Sequence, residues 1–487
     1  MNFSSFRMPQ NKAIQCYLLM SLWILLIIFG VYKFMEPQQK ILDTTLKPTQ
    51  LYSTLESDGK TRRIFKICNF PEDISPGDEA ILNKNKWQLK GLLILIRHGD
   101  RGPLQHVKKI SSINCGVGAE KSDLLANYKA YLHNESLTGK LSWAGQGPFH
   151  GFPFIPSHPT QCHLGQLTMQ GVSQLLKLGN ILRESYSDVW AKLATLNANE
   201  VLVYSTRYRR TFQSALSFLF GLIRHETLEK IPIHESQSMS FCFKDCGCPV
   251  TENLSRSVQK SVSHHLRSHP AVAALADATG KYLFEVPDGE SQTPGVDPYS
   301  VRDALLSVVC HRGGMPCEAP NNCMRRQNVV GIFSYTDWVN YRKWRNSSWK
   351  RYCLLKSYGL MRHIVQQMLH MVSNSGPYLV LYSGHDHTLE QLTAALGLQS
   401  DPFLLRYAAR MVFEVYQEVE ESNEVKGIFF RLLTNGRDVT RQISFCKNFV
   451  NVNSRVGLCK IEDIVRFLHD DYFTALNVTN FKDACTH

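Results

Sequence analysis

The sequence predicts an α/β fold. Buried strands stack in one parallel sheet, helices pack on it, a mostly helical subdomain is inserted, and a single transmembrane helix precedes the whole. Three observations carry this. Short apolar runs at 92–96, 201–204 and 377–382 each stop at a polar turn, as buried strands do. Helical spacing of apolar residues follows at 167–182, 214–223 and 389–396. An uncharged apolar stretch, 16–32, lies close to the N-terminus.

The chain has 487 residues, room for one large domain or two or three small ones. Hydrophobic residues make up 44% and charged ones 20%, the balance of a globular protein with a sizeable core. A formal net charge of +12 suits an anionic partner, whether phosphate, acidic polysaccharide, membrane or nucleic acid. No lysine- or arginine-rich block, zinc-finger motif or RNA-binding motif is evident, which disfavours nucleic acid. Of 14 cysteines, Cys16 lies in the apolar stretch and thirteen fall between Cys68 and Cys485. Cys242, Cys246 and Cys248 cluster but lack the second pair that a zinc site needs. Most of the thirteen are expected in disulfides of an oxidising compartment, and the odd number leaves at least one free or paired between chains.

Residues 1–12 are expected as a short cytosolic tail. Residues 13–35 are almost wholly apolar and close to the roughly 20 residues that span a bilayer. No small-x-small cleavage site follows and the run exceeds a usual signal-peptide core, so an uncleaved signal anchor is expected. Charge does not orient it, because Arg7 and Lys12 on one side face Lys33, Lys40 and Lys47 on the other. Four glycosylation acceptors, Asn134, Asn253, Asn346 and Asn477, place the body in a lumen. Residues 36–86 are expected as a luminal stem, polar and aperiodic to about residue 60, and 87–487 as the body. Tail, anchor, stem and luminal body together suggest a single-pass type II protein of the Golgi membrane.

The strand at 92–96 leads into Arg97-His98-Gly99-Asp100-Arg101-Gly102-Pro103. Residues 104–163, rich in Gly, Ser, Pro and aromatics, read as an excursion over the mouth of a site or, equally, as a surface loop without a role. Thr168 is a plausible N-cap for the next helix. The strand at 201–204 runs into Ser205-Thr206-Arg207-Tyr208-Arg209-Arg210-Thr211 and then a helix, whose free amides and dipole favour an anion. Residues 225–375, with seven cysteines, are expected as the inserted helical cap. The strand at 377–382 ends in Ser383-Gly384-His385-Asp386-His387-Thr388 before another helix. Runs at 411–416 and 427–433 flank an acidic turn and are expected as a hairpin at the edge of the sheet.

Parallel stacking brings Arg97, His98, Arg101, Arg210, His385 and Asp386 to one sheet edge, where open α/β sheets bind ligands. Three guanidiniums suit the oxygens of a phosphate dianion and offset charge on a transferring phosphoryl group. A neutral histidine among them can attack phosphorus and form a phosphohistidine that water hydrolyses. The arginines themselves disfavour its cationic form. The leaving alkoxide needs a proton, and Asp386 is the available acid, its pKa raised by a neighbouring phosphate dianion. The scheme needs no metal and no cofactor. Each piece alone has a plainer explanation: a chance Arg-His-Gly, a hydrogen-bonded His-Asp pair, a salt bridge at Arg210. Their shared position after buried strands is what gives them weight.

Arg97-His98-Gly99-Asp100-Arg101-Gly102-Pro103 resembles the R-H-G-x-R-x-P signature of the histidine acid phosphatases, in branch 2 of the histidine phosphatase superfamily. Ser383-Gly384-His385-Asp386 resembles their H-D element, and Ser205-Thr206 through Arg210-Thr211, with Ser214-Ala215, their third phosphate-binding arginine segment. Leu167-Thr168 with Gly171 is similar to the helix after their first loop, and the resemblance spans roughly 87–415. It implies a central, mainly parallel sheet with helices on both faces and an inserted helical cap. It also implies His98 as nucleophile, Asp386 as proton donor, and Arg97, Arg101, Arg210 and His385 as phosphate ligands. Arg207 and Arg209 stand where relatives often carry acidic residues, and His387 where they have a smaller polar one. Both departures suggest a more anionic substrate. The anchor and stem are similar to those of a Golgi member that acts on phosphorylated xylose in the glycosaminoglycan–protein linkage saccharide. That likeness implies a role in proteoglycan chain synthesis beside the linkage-region glycosyltransferases. A broad acid phosphatase or phytase-like enzyme of the secretory route is the alternative. A catalytically silent protein binding anionic glycans is disfavoured, because all six site residues are present.

Overall fold

The computed structural model describes Met20, Trp23 and residues 59–486, apart from 81, 84, 117–121, 134–146, 188–199, 224–227, 245, 268, 286–295, 320–321, 374–375, 400–405, 420–424, 448 and 453–455. The chain divides into two units, Met1–Lys47 and Pro48–His487, and the second is the body. The expected membrane anchor lies outside the described residues but for Met20 and Trp23; among the described residues no helix is long and apolar enough to cross a membrane.

In chain order the elements are α1 (Gly59–Cys68), β1 (Trp87–Arg97), α2 (Asp123–His133), α3 (Met169–Ser185), β2 (Val201–Thr206), α4 (Arg209–Leu222) and β3 (Ile233–Ser236). The cap region follows with α5 (Val250–Arg267), α6 (Pro270–Leu283), α7 (Pro298–Cys310), the short strands β4 (Cys317–Ala319) and β5 (Asn322–Cys323), and α8 (Arg326–Trp344). The chain then forms α9 (Ser347–Met371), β6 (Leu379–Gly384), α10 (Asp386–Ala395), β7 (Arg410–Val419), β8 (Val425–Thr434) and β9 (Arg437–Asp438). It ends with β10 (Val450–Asn451), β11 (Gly457–Lys460), α11 (Ile461–Arg466) and α12 (Phe481–Thr486).

One sheet runs in the order β10-β11-β8-β7-β1-β6-β2-β3, with β9 on β8. Its centre shows why the first apolar run is unbroken. Side chains alternate across a strand, so a strand covered on both faces needs apolar residues at every position. Leu92, Ile94 and Ile96 pack with Leu175 and Leu182 of α3 and Phe212 and Leu219 of α4. Leu93 and Leu95 face the other way, against Leu360, Met361 and Ile364 of α9 and Leu389 of α10. Each such side chain, fully buried, contributes about 1.5–3 kcal/mol.

The sheet is mixed rather than mainly parallel. β1–β6, β6–β2 and β2–β3 are parallel, whereas β1–β7, β7–β8 and β8–β11 are antiparallel. The hairpin expected at the edge instead lies in the interior, with β7 beside β1. Met411, Val412, Phe413 and Val415 are fully buried on both faces, which an edge strand would not allow.

Two expected boundaries also move. α9 falls inside the expected cap, 225–375, yet packs on the sheet, so the helical insertion covers α5 to α8. β3, in the same range, is a sheet strand. The later part of the expected stem belongs to the body: Ile64 and Phe65 of α1 share a core with Val301, Leu305 and Ile332 of the cap, and Cys68 is bonded to Cys310. Twelve of the thirteen cysteines after Cys16 pair, and Cys353 is free and buried.

Candidate active site

The in-register pairing Arg97↔Gly384 ends β1 and β6 side by side, so both loops leave the sheet at one edge. His98 is pinned there by its backbone, which donates to the Gly384 carbonyl (3.0 Å) and accepts from Ala408 (3.2 Å). Its Nδ1 lies 2.8 Å from the Gly99 carbonyl oxygen, which can only accept. Nδ1 therefore carries the proton and Nε2 keeps a free lone pair. The loop sits hard against α3. A Cβ on Gly99 would strike the Gly171 backbone, and one on Gly171 the Asp100 carbonyl, so both glycines are needed for the loop to lie on the helix. Thr168 caps α3 by accepting from Gly171 N (3.1 Å), and its hydroxyl donates to Asp100 Oδ2 (2.6 Å). The same carboxylate oxygen lies 2.8 Å from His311 Nε2, at the end of α7.

Three guanidiniums surround His98. Arg97 pairs with Asp386 (2.9 Å) and stacks on Tyr407 (4.5 Å). Arg101 is held by Asp303 (2.8 Å), which also accepts from Leu104 N (2.7 Å). Arg210, in the first turn of α4, lies over the ring of Tyr208 (4.4 Å). The Nε atoms of Arg101 and Arg210 are buried and make no hydrogen bond, which leaves donors for an oxyanion. Arg210 Nη2 is 3.5 Å from His385 Nδ1, and arginine only donates, so His385 Nε2 bears the proton and donates to Thr206 Oγ1 (2.9 Å).

Burial, then Arg210, Arg97, His385 and Arg101, pushes His98 well below its usual 6.5. Burial and Arg210 push His385 down to about 3. Both imidazoles are neutral at neutral pH. Burial would raise the Asp386 carboxyl, but Arg97, then His387, His98 and Arg101, hold it well below the usual carboxylate range. Its side chain is 32% exposed, so a leaving group can reach it. Burial and the neighbouring Arg101 lower Arg210 to about 10, which leaves it charged.

The chain matches the family described as the histidine phosphatase superfamily (branch 2) over residues 88–289 and 328–435. It belongs to that superfamily. It is 29% identical over 425 residues to human 2-phosphoxylose phosphatase 1, covering 86% of this chain and 85% of the relative. It is 27% identical over 308 residues to a lysosomal acid phosphatase of Xenopus laevis, covering 59% and 66%. A multiple inositol polyphosphate phosphatase of Bifidobacterium longum, solved with phosphate, shares the fold at a TM-score of 0.50 and 12% identity, over 82% of this chain and 97% of that one. Family and relatives together make the chain a phosphoric monoester hydrolase.

The structure brings all six expected residues of this histidine phosphatase together. It adds Asp303 and Tyr407, which no motif marked, and gives Thr206, inside the Ser205–Thr211 segment, a partner in His385: each supports its partner from a distant stretch of chain. His387, flagged as a departure, donates its backbone N–H to Asp386 Oδ1 (2.8 Å). Its ring lies 3.7 Å from Glu390, and its pKa is raised by Asp386 and Glu390. Among the acceptor asparagines, Asn134 lies outside the described residues, Asn253 and Asn477 are exposed, and half-buried Asn346 caps α9 through Oδ1. Among the described residues no cluster of His, Cys, Asp and Glu suits a metal.

Proposed function

We propose that the chain is a phosphomonoesterase that works through a phosphohistidine on His98. The observation that carries this is the imidazole itself: Nδ1–H is tied to Gly99, Nε2 is free, and the ring stays neutral inside three guanidiniums. Nε2 attacks phosphorus, the P–O bond to the leaving group breaks, and protonated Asp386 gives its proton to the departing oxygen. Water then attacks the phosphohistidine, Asp386 takes back a proton, and inorganic phosphate leaves. Asp386 is ionised while it pairs with Arg97. A phosphate dianion drawing on Arg97 and adding negative charge raises its pKa, so the acid form belongs to the substrate complex. His385, with one nitrogen facing Arg210 and the other bonded to Thr206, serves phosphate by orienting Arg210.

The substrate we assign is the 2-phosphate of xylose in the glycosaminoglycan–protein linkage region, whose removal promotes chain extension. Supporting it are the name and wide coverage of the 2-phosphoxylose phosphatase relatives, the net charge of +12, and Arg207 and Arg209 beside the site. The expected anchor and sequons, with the six disulfides, support a Golgi-luminal body on a single-pass type II anchor, in the same compartment as the linkage-region glycosyltransferases. The lysosomal acid phosphatase relative favours a second reading, a broad-specificity enzyme. The test compares rates on a phosphoxylose-bearing linkage saccharide, phosphotyrosine and inositol hexakisphosphate. Preference for the first is expected, and preference for either other would overturn the assignment. His98→Ala should abolish turnover and the acid-quenched phosphoenzyme together; full activity would overturn the mechanism.

A further inference from the structure

A second cavity, of about 1080 Å³, lies between the end of α8, the start of α9 and the end of α10. That is just above the range of about 300–1,000 Å³ usual for ligand sites. It contains none of the six residues of the phosphate pocket, but Glu390, one helical turn after Asp386 on α10, is in its wall. Five cations line it, Arg63, Arg302, Arg345, Lys350 and Arg351, against two carboxylates. Both carboxylates are engaged. Asp337 pairs with Arg302 (3.0 Å) and lies 3.9 Å from Arg63, and Glu390 pairs with Lys343 (2.7 Å). Arg345, Lys350 and Arg351 have no acidic partner among the described residues, and Arg351 Nε is buried without a hydrogen bond. The guanidinium of Arg345 lies 4.7 Å over the half-exposed ring of Tyr341, and Trp344 lines the same wall. Ser347 and Ser348 bring the amide-rich first turn of α9 to it.

We infer that this cavity binds an acidic oligosaccharide, one bearing carboxylates or sulfates, separately from the phosphate pocket. Unpaired guanidiniums and an ammonium suit those anions. The aromatic faces suit the C–H faces of sugar rings, and the concave shape does not suit a flat bilayer. The inference goes beyond the phosphatase reading and rests on it only for the origin of the natural ligand. The rival occupant is the chain's own glycan, since Asn477 lines the cavity and Asn253 and Asn346 adjoin the lining residues Leu254 and Ser347. The core of an N-glycan is neutral and leaves the three cations without anions.

The test titrates a size-defined chondroitin sulfate hexasaccharide into the full-length, glycosylated His98→Ala chain and follows tryptophan fluorescence and heat. Saturable binding is expected. It should weaken with added salt, survive saturating inorganic phosphate, and fall about tenfold or more in an Arg345→Glu/Lys350→Glu chain. With His98 restored, the same double variant should hydrolyse p-nitrophenyl phosphate within about twofold of the parent, which shows that it folds. Displacement by phosphate, indifference to the double variant, or binding that appears only in Asn477→Gln would each overturn the inference. Failure of the phosphoxylose assignment would show instead as a preference of the parent chain for phosphotyrosine or inositol hexakisphosphate, whatever the hexasaccharide does.

Discussion

At His98 one hydrogen bond and three charges set the state of the ring. The bond to Gly99 chooses the tautomer, and burial with Arg210, Arg97 and Arg101 keeps the ring unprotonated as the solution acidifies. A base whose pKa lies below 6.5 stays competent below pH 6.5, so the acid limb of kcat/KM should lie well below that value. Arg210 comes first, after burial, among the influences that lower the ring's pKa, so Arg210→Ala should move the limb upward toward 6.5 as well as weaken phosphate binding. A pH profile reads this directly, and an unmoved limb would mean that Arg210 does not tune the ring. The same shift opposes folding in acid: the unfolded chain takes up the proton first, so this contribution is full above 6.5 and declines as pH falls below it. Asp386 has a different signature. Asp386→Asn should slow an alkyl phosphate by about 10²- to 10⁴-fold and p-nitrophenyl phosphate far less, because nitrophenolate leaves without a proton. Equal losses on both would remove it as the acid. These six residues were legible in the sequence because each follows an apolar run at a sheet edge. Asp303 and Tyr407 were not, because nothing local distinguishes a carboxylate or a phenol that meets its partner only after folding, and Thr206 lies in a motif segment whose spacing does not reveal its bond to His385.

Among the elements, α7 connects the cap to the catalytic loop. Asp303 near its middle holds Arg101 and the backbone of Leu104, and His311 at its end lies against Asp100. Arg101 and Asp303 are largely shielded, with side chains 7% and 17% exposed. Removing one partner of such a pair leaves the other charge without its counterion. Asp303→Ala should cost about 2–4 kcal/mol in a denaturant titration and, if Arg101 binds phosphate in both ground and transition states as proposed, raise KM more than it lowers kcat. A variant with wild-type KM would show that α7 does not position Arg101. Strands and helices with strong periodicity, such as β1, β6, α3 and α4, were legible from sequence alone. Sheet order was not, because a hairpin reads the same at an edge or in the interior until its non-local partner is known. The allegiance of α9 was hidden for the same reason. Five cations within residues 341–352 (Arg342, Lys343, Arg345, Lys350 and Arg351) also escaped notice as a basic block. Aromatics separate them, and they gather only where α8 turns into α9.

Across the whole molecule, two disulfides close very long loops: Cys68–Cys310 spans 242 residues and Cys248–Cys485 spans 237. Each ties a distant part of the body to the cap region, α1 to the end of α7 in the first case and α12 to the start of α5 in the second. In the chain-entropy account a closure of this length restricts the unfolded ensemble by about 5.5 kcal/mol. The odd cysteine count left one thiol unassigned, and among the described residues it is Cys353, whose thiol burial pushes well up and so keeps unreactive. The folded, unreduced body should therefore resist iodoacetamide at Cys353 until denaturant is added. Reduction should act through the cap. Once Cys68–Cys310 opens, α7 loses its covalent tie while still carrying Asp303 and His311, so kcat/KM should fall in step with that bond as reductant is raised. Thiol mapping by mass spectrometry follows the bond and a phosphatase assay follows the site. If full activity persisted with Cys68 and Cys310 both alkylated, the cap would be held to the loop at His98 by packing alone, and the state of that disulfide would not reach the site.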